Sequence, residues 1–282
     1  MALVVVTDTT HGLPRERVAA LGVHEVSLYV GEDGVLRREA DVADLAAFYA
    51  RLRDARGLPT TSQPSVGDFL AVYEPLLAAG HDVLSLHLAA ALSGTCATAG
   101  QARDELGAAE RVEVVDSATG AAGLGMLVLA AARAAREEGE LGAAAARVRA
   151  AREHVRLWFC VDTLEFLRRG GRIGQAQAWV GSALRVKPIL TFDGEVRPVE
   201  RVRTSARAFE RMVGYLGELR DAGGDGWVVQ HIGVPDTAER LVARGREVLR
   251  CEPLWVSEIG PVFGTHLGPG AFGVGGLPRA LV

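Results

Sequence analysis

Three short stretches carry side chains able to hold an anion or to move a proton. Ser93-Gly94-Thr95 follows the alternating run Val83–Leu88 and opens a helical pattern of small residues from Thr95 onward. A strand-to-helix junction presents unpaired backbone N–H groups and the positive end of the helix dipole, which suits an anion. Ser93 is equally a sound N-cap in its own right. Thr60-Thr61-Ser62-Gln63-Pro64-Ser65 sets five hydroxyl or amide side chains around one proline, with Ser65 and Asp68 at capping-box spacing for the next helix. The third stretch, Ile259–Gly276, is dense in glycine, and His266 is its one titratable group. Asp8 ends the apolar strand that starts at Leu3. That is where α/β folds place ligand contacts, although an aspartate there also suits a turn.

Two chemistries are open to these residues. One is an anion site. The other is a serine hydrolase relay of Ser93, His266 and Asp116 or Asp8, although Leu92-Ser93-Gly94 lacks the G-x-S-x-G elbow. Other classes fall away. Gly268-Pro-Gly270-Ala-Phe-Gly273 spells G-x-G-x-x-G, but the nine residues after Gly273 leave no room for the helix and acid a dinucleotide site requires. Lys187 is the only lysine and lies in Val-Lys-Pro, so there is no Walker A loop. Cys96, Cys160 and Cys251 are too far apart for a zinc site or a disulfide framework, and Cys160 reads as core. The seven histidines form no His-x-x-x-His pair, so neither a metal nor a cofactor is expected. A net charge of −4 with no basic block argues against nucleic acid. No apolar run approaches the roughly 20 residues of a membrane span and no leader pattern opens the chain, so a cytoplasmic protein without stable membrane insertion is expected.

Hydrophobic residues make up 49% of the 282, enough for a sizeable core. Strands are expected at Leu3–Val6, His24–Val30, Val83–Leu88, Arg111–Val115 and Leu157–Val161. Helices are expected from Leu13-Pro14 to Gly22, at Asp41–Arg53, from Ser65, from Thr95, at Ala118–Glu137 and at Leu141–Val155. The small residues Ala121, Ala122, Gly123 and Gly125 at the head of the Ala118 helix imply a close neighbour, either backbone or an apolar ligand. Asp193-Gly194 signals a hairpin between Lys187–Phe192 and Glu195–Val202. Helices at Ser205–Leu219 and Thr237–Leu249 and strands at Trp227–Ile232 and Leu254–Ile259 follow. The first half alternates as a parallel α/β sheet does, and the second half reads as a mixed sheet with helices.

The chain resembles the DegV family, the fatty-acid-binding subunits of bacterial fatty acid kinase. The resemblance rests on Val6-Thr7-Asp8-Thr9, Thr61-Ser62-Gln63-Pro64-Ser65 and Leu92-Ser93-Gly94-Thr95. It continues through Val161–Ile173, Lys187-Pro188-Ile189-Leu190 and Gly264–Gly270, in family order over nearly the whole chain. It implies an α/β fold of two domains. Residues 1–160 would form a three-layer α/β/α domain with a parallel sheet, carrying the carboxylate-binding loops. Residues 161–282 would form a two-layer α/β domain with a mixed sheet, covering an acyl tunnel. A long-chain fatty acid would set its carboxylate against Thr61, Ser93 and His266, with Ser62, Gly94, Thr95 and Thr265 as further contacts. Its tail would pass Ala121, Ala122, Gly123 and Phe263. The protein itself would not be an enzyme. A partner kinase subunit, docking at Arg172, Arg201 and Arg203, would phosphorylate the carboxylate. A lipid carrier without a kinase would have the same sequence features. His11 departs from the family pattern, and Trp158 is bulkier than the aliphatic residue expected there, so it would shorten the tunnel if it faced it.

Overall fold

A computed structural model describes residues 2–54, 57–180 and 186–282. The first apolar run is β1 (Leu3–Asp8); helix α1 (Arg15–Leu21) returns the chain to a short parallel neighbour, β2 (His24–Val26). The expected strand His24–Val30 is split. Buried Ser27 donates to the Leu28 carbonyl and accepts from the Ala40 amide, turning the chain out of the sheet. β3 (Tyr29–Glu32) then pairs with β4 (Val35–Arg38) and β5 (Thr60–Ser62) in a small antiparallel sheet. Helix α2 (Leu45–Asp54) starts later than its apolar stripe suggested, because Asp44 accepts from the Ala47 amide and fixes the helix start there. α3 (Val66–Ala78) opens on the Ser65–Asp68 capping box. β6 (Asp82–His87), α4 (Thr95–Glu105) and β7 (Val112–Asp116) complete a four-stranded parallel sheet of order β2-β1-β6-β7. Helices α3 and α4 cover one face, and α5 (Ala122–Glu137) and α6 (Leu141–Arg152) the other.

The chain then enters a second, six-stranded sheet at β8 (Arg156–Cys160). α7 (Glu165–Arg169) leads to the expected hairpin of β9 (Lys187–Asp193) and β10 (Glu195–Val202), which turns at Gly194 alone: Asp193 stays in β9 and pairs with Glu195 instead of sharing a two-residue turn. α8 (Ser205–Asp221), β11 (Gly226–His231), α9 (Pro235–Leu249), β12 (Trp255–Glu258), α10 (Pro261–Leu267) and β13 (Phe272–Leu277) follow. The strand order is β10-β9-β8-β13-β11-β12, antiparallel except for β11 with β12. α8 and α9 cover one face of this sheet, and the other face is turned toward α5.

α5 is the shared layer. Nearly every residue from Ala122 to Ala134 is buried, and the helix touches β1 and β6 on one side and β8, β11 and β13 on the other. It does not begin at Ala118. Ala118 and Ala121 have φ of +51° and +47°, so residues 118–121 form a loop with two alanines in the left-handed region. Gly125 explains part of the small-residue run: a Cβ there would lie 2.5 Å from the His11 carbonyl oxygen and 3.0 Å from Trp255.

β13 is the element the composition conceals. Gly273, Gly275 and Gly276 lie in a strand between β8 and β11, in a residue type depleted from strands. Neighbours require them: a Cβ on Gly275 would stand 2.3 Å from Leu157, and one on Gly276 would stand 2.5 Å from Leu219. His266 accordingly lies on α10 rather than on a long glycine loop.

Candidate functional site

A cavity of about 350 Å³, open to the surface, lies between the second sheet and the loops at the carboxyl ends of β6 and β7. Residues alternate across a strand and register partners share a face, so Leu157 and Phe159 of β8 and Val228 and Gln230 of β11 lie on one face of the sheet, all lining the cavity. Gly273 of β13 lies between them, and its missing side chain leaves the floor low. Leu28, Leu88, Ala122, Phe192, Val196 and Ile259 extend the apolar wall.

Polar groups gather at one part of this wall. Thr61, on β5, brings its Oγ1 within 2.8 Å of His266 Nε2. Ser93 also lines the cavity, with its Oγ 2.9 Å from Thr95 Oγ1. Burial, reinforced by the positive charge of Arg172, pushes His266 down to about 4, so the imidazole is neutral at physiological pH. Its Nδ1 is buried with no hydrogen-bond partner among the described residues, and it faces Gly170 closely enough that a Cβ there would lie 2.1 Å away. Arg172 lines the cavity and donates to the carbonyls of Leu92 and Gly170, tying α7 to the Ser93 loop.

The other residues singled out from the sequence are placed as follows. Ser62, Ala121, Ala122 and Phe263 line the cavity, and Phe263 packs on Gly120, where a Cβ would lie 2.3 Å from its ring. Ser93 is not the cap of α4. Gly94 is, without a side-chain cap bond, and Gln63 lies against it while donating to Thr98. Thr95 is buried beneath Ser93. Gly123 packs on Thr119 and Leu157, and Thr265 donates to the Pro261 carbonyl; neither lines the cavity. Arg201 and Arg203 are exposed, Arg201 over the ring of Trp179. Trp158 borders the cavity, but its ring stacks on Tyr215 of α8 with centroids 4.9 Å apart and does not intrude. His11 is locked by the Leu13 amide at Nδ1 and Glu25 at Nε2.

A hydrolase relay is not assembled. Asp8 is fully buried away from Ser93. Burial alone would raise its carboxyl, but bonds from His87, Thr10 and the Leu88 amide hold it below its ordinary value. Asp116 accepts from the Ala90 and Ala118 amides. The sequence reading missed the enclosed chain Tyr73–Ser85–His87–Asp8, whose side chains join in series at 2.6 to 3.1 Å. Its signal was two polar residues, Ser85 and His87, inside a buried strand. It also missed Gln230, a polar side chain within the apolar run Trp227–Ile232. Cys96 and Cys160 are both pushed up to about 12 by burial, so neither is a thiolate nucleophile.

A family model described as an uncharacterised protein of the DegV family matches residues 2–279. The chain belongs to the DegV family. A DegV domain-containing protein of Clostridium acetobutylicum is 34% identical over 279 residues, covering 97% of each chain. One from Streptomyces coelicolor is 37% identical over 273 residues, covering 96% of each. Among solved structures, a DegV family protein from Thermus thermophilus described as fatty-acid-binding superposes with a TM-score of 0.88 at 35% identity. It covers 98% of this chain and 99% of its own. The fatty-acid-binding DegV of Bacillus subtilis gives 0.87 at 32% identity, with the same coverage. The parallel and mixed sheets of this DegV protein are thus those of its relatives. Among its described residues no helix is long and apolar enough to cross a membrane, and no cluster of three or more potential metal ligands occurs.

Proposed function

We propose that this DegV protein binds a long-chain fatty acid in the cavity between its two sheets and presents the carboxylate to a separate ATP-dependent kinase. The observation that carries this reading is the pairing of an extended apolar cavity with Thr61, Ser93 and His266 gathered on one part of its wall. Each buried CH₂ contributes about 0.8 kcal/mol, so the tail supplies most of the affinity and the polar cluster supplies orientation. Held neutral, His266 carries one proton. With that proton on Nε2 it donates to Thr61 Oγ1, and the Thr61 hydroxyl is then free to donate to a carboxylate oxygen. Ser93 offers a second donor, and the nearby Arg172 keeps the bound acid ionised.

On this reading the DegV chain performs no chemistry of its own. A carboxylate oxygen attacks the γ-phosphorus of ATP held by the partner, ADP leaves, and an acyl phosphate forms. Exposed Arg172, Arg201 and Arg203 are the proposed contacts of that kinase, in the cytoplasm. The test is mass spectrometry of a solvent extract of the purified protein. About one fatty acid per chain is expected, and Thr61→Ala, Ser93→Ala and His266→Ala should retain less of it while remaining folded. An empty extract, with no thermal stabilisation by added palmitate or oleate, would overturn the carrier reading. Addition of a DegV-dependent kinase with ATP should then convert the bound acid to acyl phosphate.

A further inference from the structure

Gln230 is a costly residue for an apolar wall. It is 4% exposed, lies one residue from the end of β11 and lines the same cavity as Val228 and Phe159. Its Nε2 donates to the Gly12 carbonyl at 3.2 Å and to Ser257 Oγ at 3.1 Å, which uses both amide protons. The same carbonyl receives Ser257 Oγ and, at 3.0 Å, Trp255 Nε1. That network fixes the amide's orientation, because turning it over would set Oε1 against the Gly12 oxygen, acceptor on acceptor. Gly12 is shaped to it as well: its φ is +61°, and a Cβ there would lie 2.1 Å from Gln230 Nε2. The amide is therefore held by three elements with its Oε1 left over, and among the described residues nothing donates to that oxygen. A tail of pure hydrocarbon gives such an acceptor nothing and shuts it off from water, and an acceptor buried without a donor weakens the complex that contains it.

We propose that Gln230 is a second polar anchor in the cavity, apart from Thr61, Ser93 and His266, and that it selects acyl chains bearing a hydroxyl group along the hydrocarbon. The hydroxyl donates to Gln230 Oε1 and the rest of the chain packs against the apolar wall. A hydroxyl, unlike a keto group or a double bond, supplies the proton that Oε1 lacks. The inference rests on the fatty-acid reading and specifies its ligand class.

The test compares delipidated wild-type protein with stearic acid and a positional series of monohydroxystearic acids, reading dissociation constants by displacement of a fluorescent fatty acid. One positional isomer should bind about tenfold tighter than stearate, the gain expected of one buried hydrogen bond. In Gln230→Leu and the isosteric Gln230→Met that preference should vanish, the dissociation constants of stearate and of the favoured isomer coming within about twofold of each other; the second variant guards against a folding defect in the first. If no isomer outbinds stearate on the wild type, Oε1 is met by water and the proposal is wrong. It is equally wrong if the preference survives in both variants. If neither stearate nor any isomer binds, the carrier reading itself has failed, an outcome distinct from stearate binding without discrimination.

Discussion

Gly170 and His266 are in direct contact: a Cβ on Gly170 would lie 2.1 Å from His266 Nδ1. The backbone at Gly170 has φ −76°, which any residue adopts, so glycine is needed there for space and not for conformation. Gly170→Ala should therefore fold normally but push the imidazole off Thr61, weakening fatty-acid retention about tenfold or more. Gly217→Ala, inside α8 with no atom within 4 Å of the added Cβ, is the matched control. It should leave binding unchanged and stabilise the protein by about 0.5–1 kcal/mol. Equal ligand retention in the two variants would remove Gly170 from the site.

Glu39 and His266 oppose one another in their pH dependence. Glu39 accepts from Thr9 and from the Val262 amide at the start of α10, the helix that carries His266. Burial, which outweighs these bonds, and the nearby Asp8 and Glu25 push its carboxyl up to about 7. The folded state thus keeps a proton on Glu39 at pH values where the unfolded chain has lost it, and stability falls as pH rises from 4.5 to about 7. His266, depressed to about 4, contributes the reverse: stability rises with pH from about 4 to 6.5. Glu39→Gln removes the first contribution only. Its melting temperature relative to wild type should climb between pH 4.5 and 7, by the equivalent of on the order of 3 kcal/mol. A difference that stays constant with pH would show that Glu39 is ionised throughout.

Ala122 is the first residue of α5 and part of the cavity wall. Ala122→Phe should fill part of the cavity and shift the extracted ligand toward shorter chains without abolishing binding. Each CH₂ excluded costs about 0.8 kcal/mol, so the longest acids lose most. An unaltered chain-length profile would place the tail elsewhere.

Leu127 lies within α5, fully buried between the two sheets. Leu127→Ala should cost about 2–5 kcal/mol, read by chemical denaturation. A loss under 1 kcal/mol would mean that the sheets close over the gap.

Much of the architecture was legible because its signals are local. The alternation at Val83–Leu88, the Ser65–Asp68 capping box and the hairpin around Gly194 each depend on a few adjacent side chains, and each formed, the hairpin with a tighter turn than read. What failed was set by distant partners. Nothing near Gly273 announces a strand, because Leu157 and Leu219 are what require the glycines of β13. The Ala118 helix starts late because residues 118–121 form a loop with positive φ at Ala118 and Ala121, of which Gly120 and Ala121 line the cavity. The neutral state of His266 comes from burial and from Arg172, which only the tertiary structure brings close. Gln230 was passed over because one polar residue in an apolar strand says nothing until its bonds to Gly12 and Ser257 are known.

The position of β13 also makes closure of the second sheet a long-range event. Cys160 pairs with Phe272, so β8 emerges early but waits for one of the last strands before its second edge is covered. Such non-local pairing is slow, because a long loop must close before any contact repays it. Until it closes, β8 and β11 lack the strand that joins them and the cavity has no continuous floor. Nascent chains should therefore acquire ligand only when the second sheet is sealed. An acid bound at that moment would act as a latch, raising the barrier to reopening and lengthening the protein's lifetime against proteolysis.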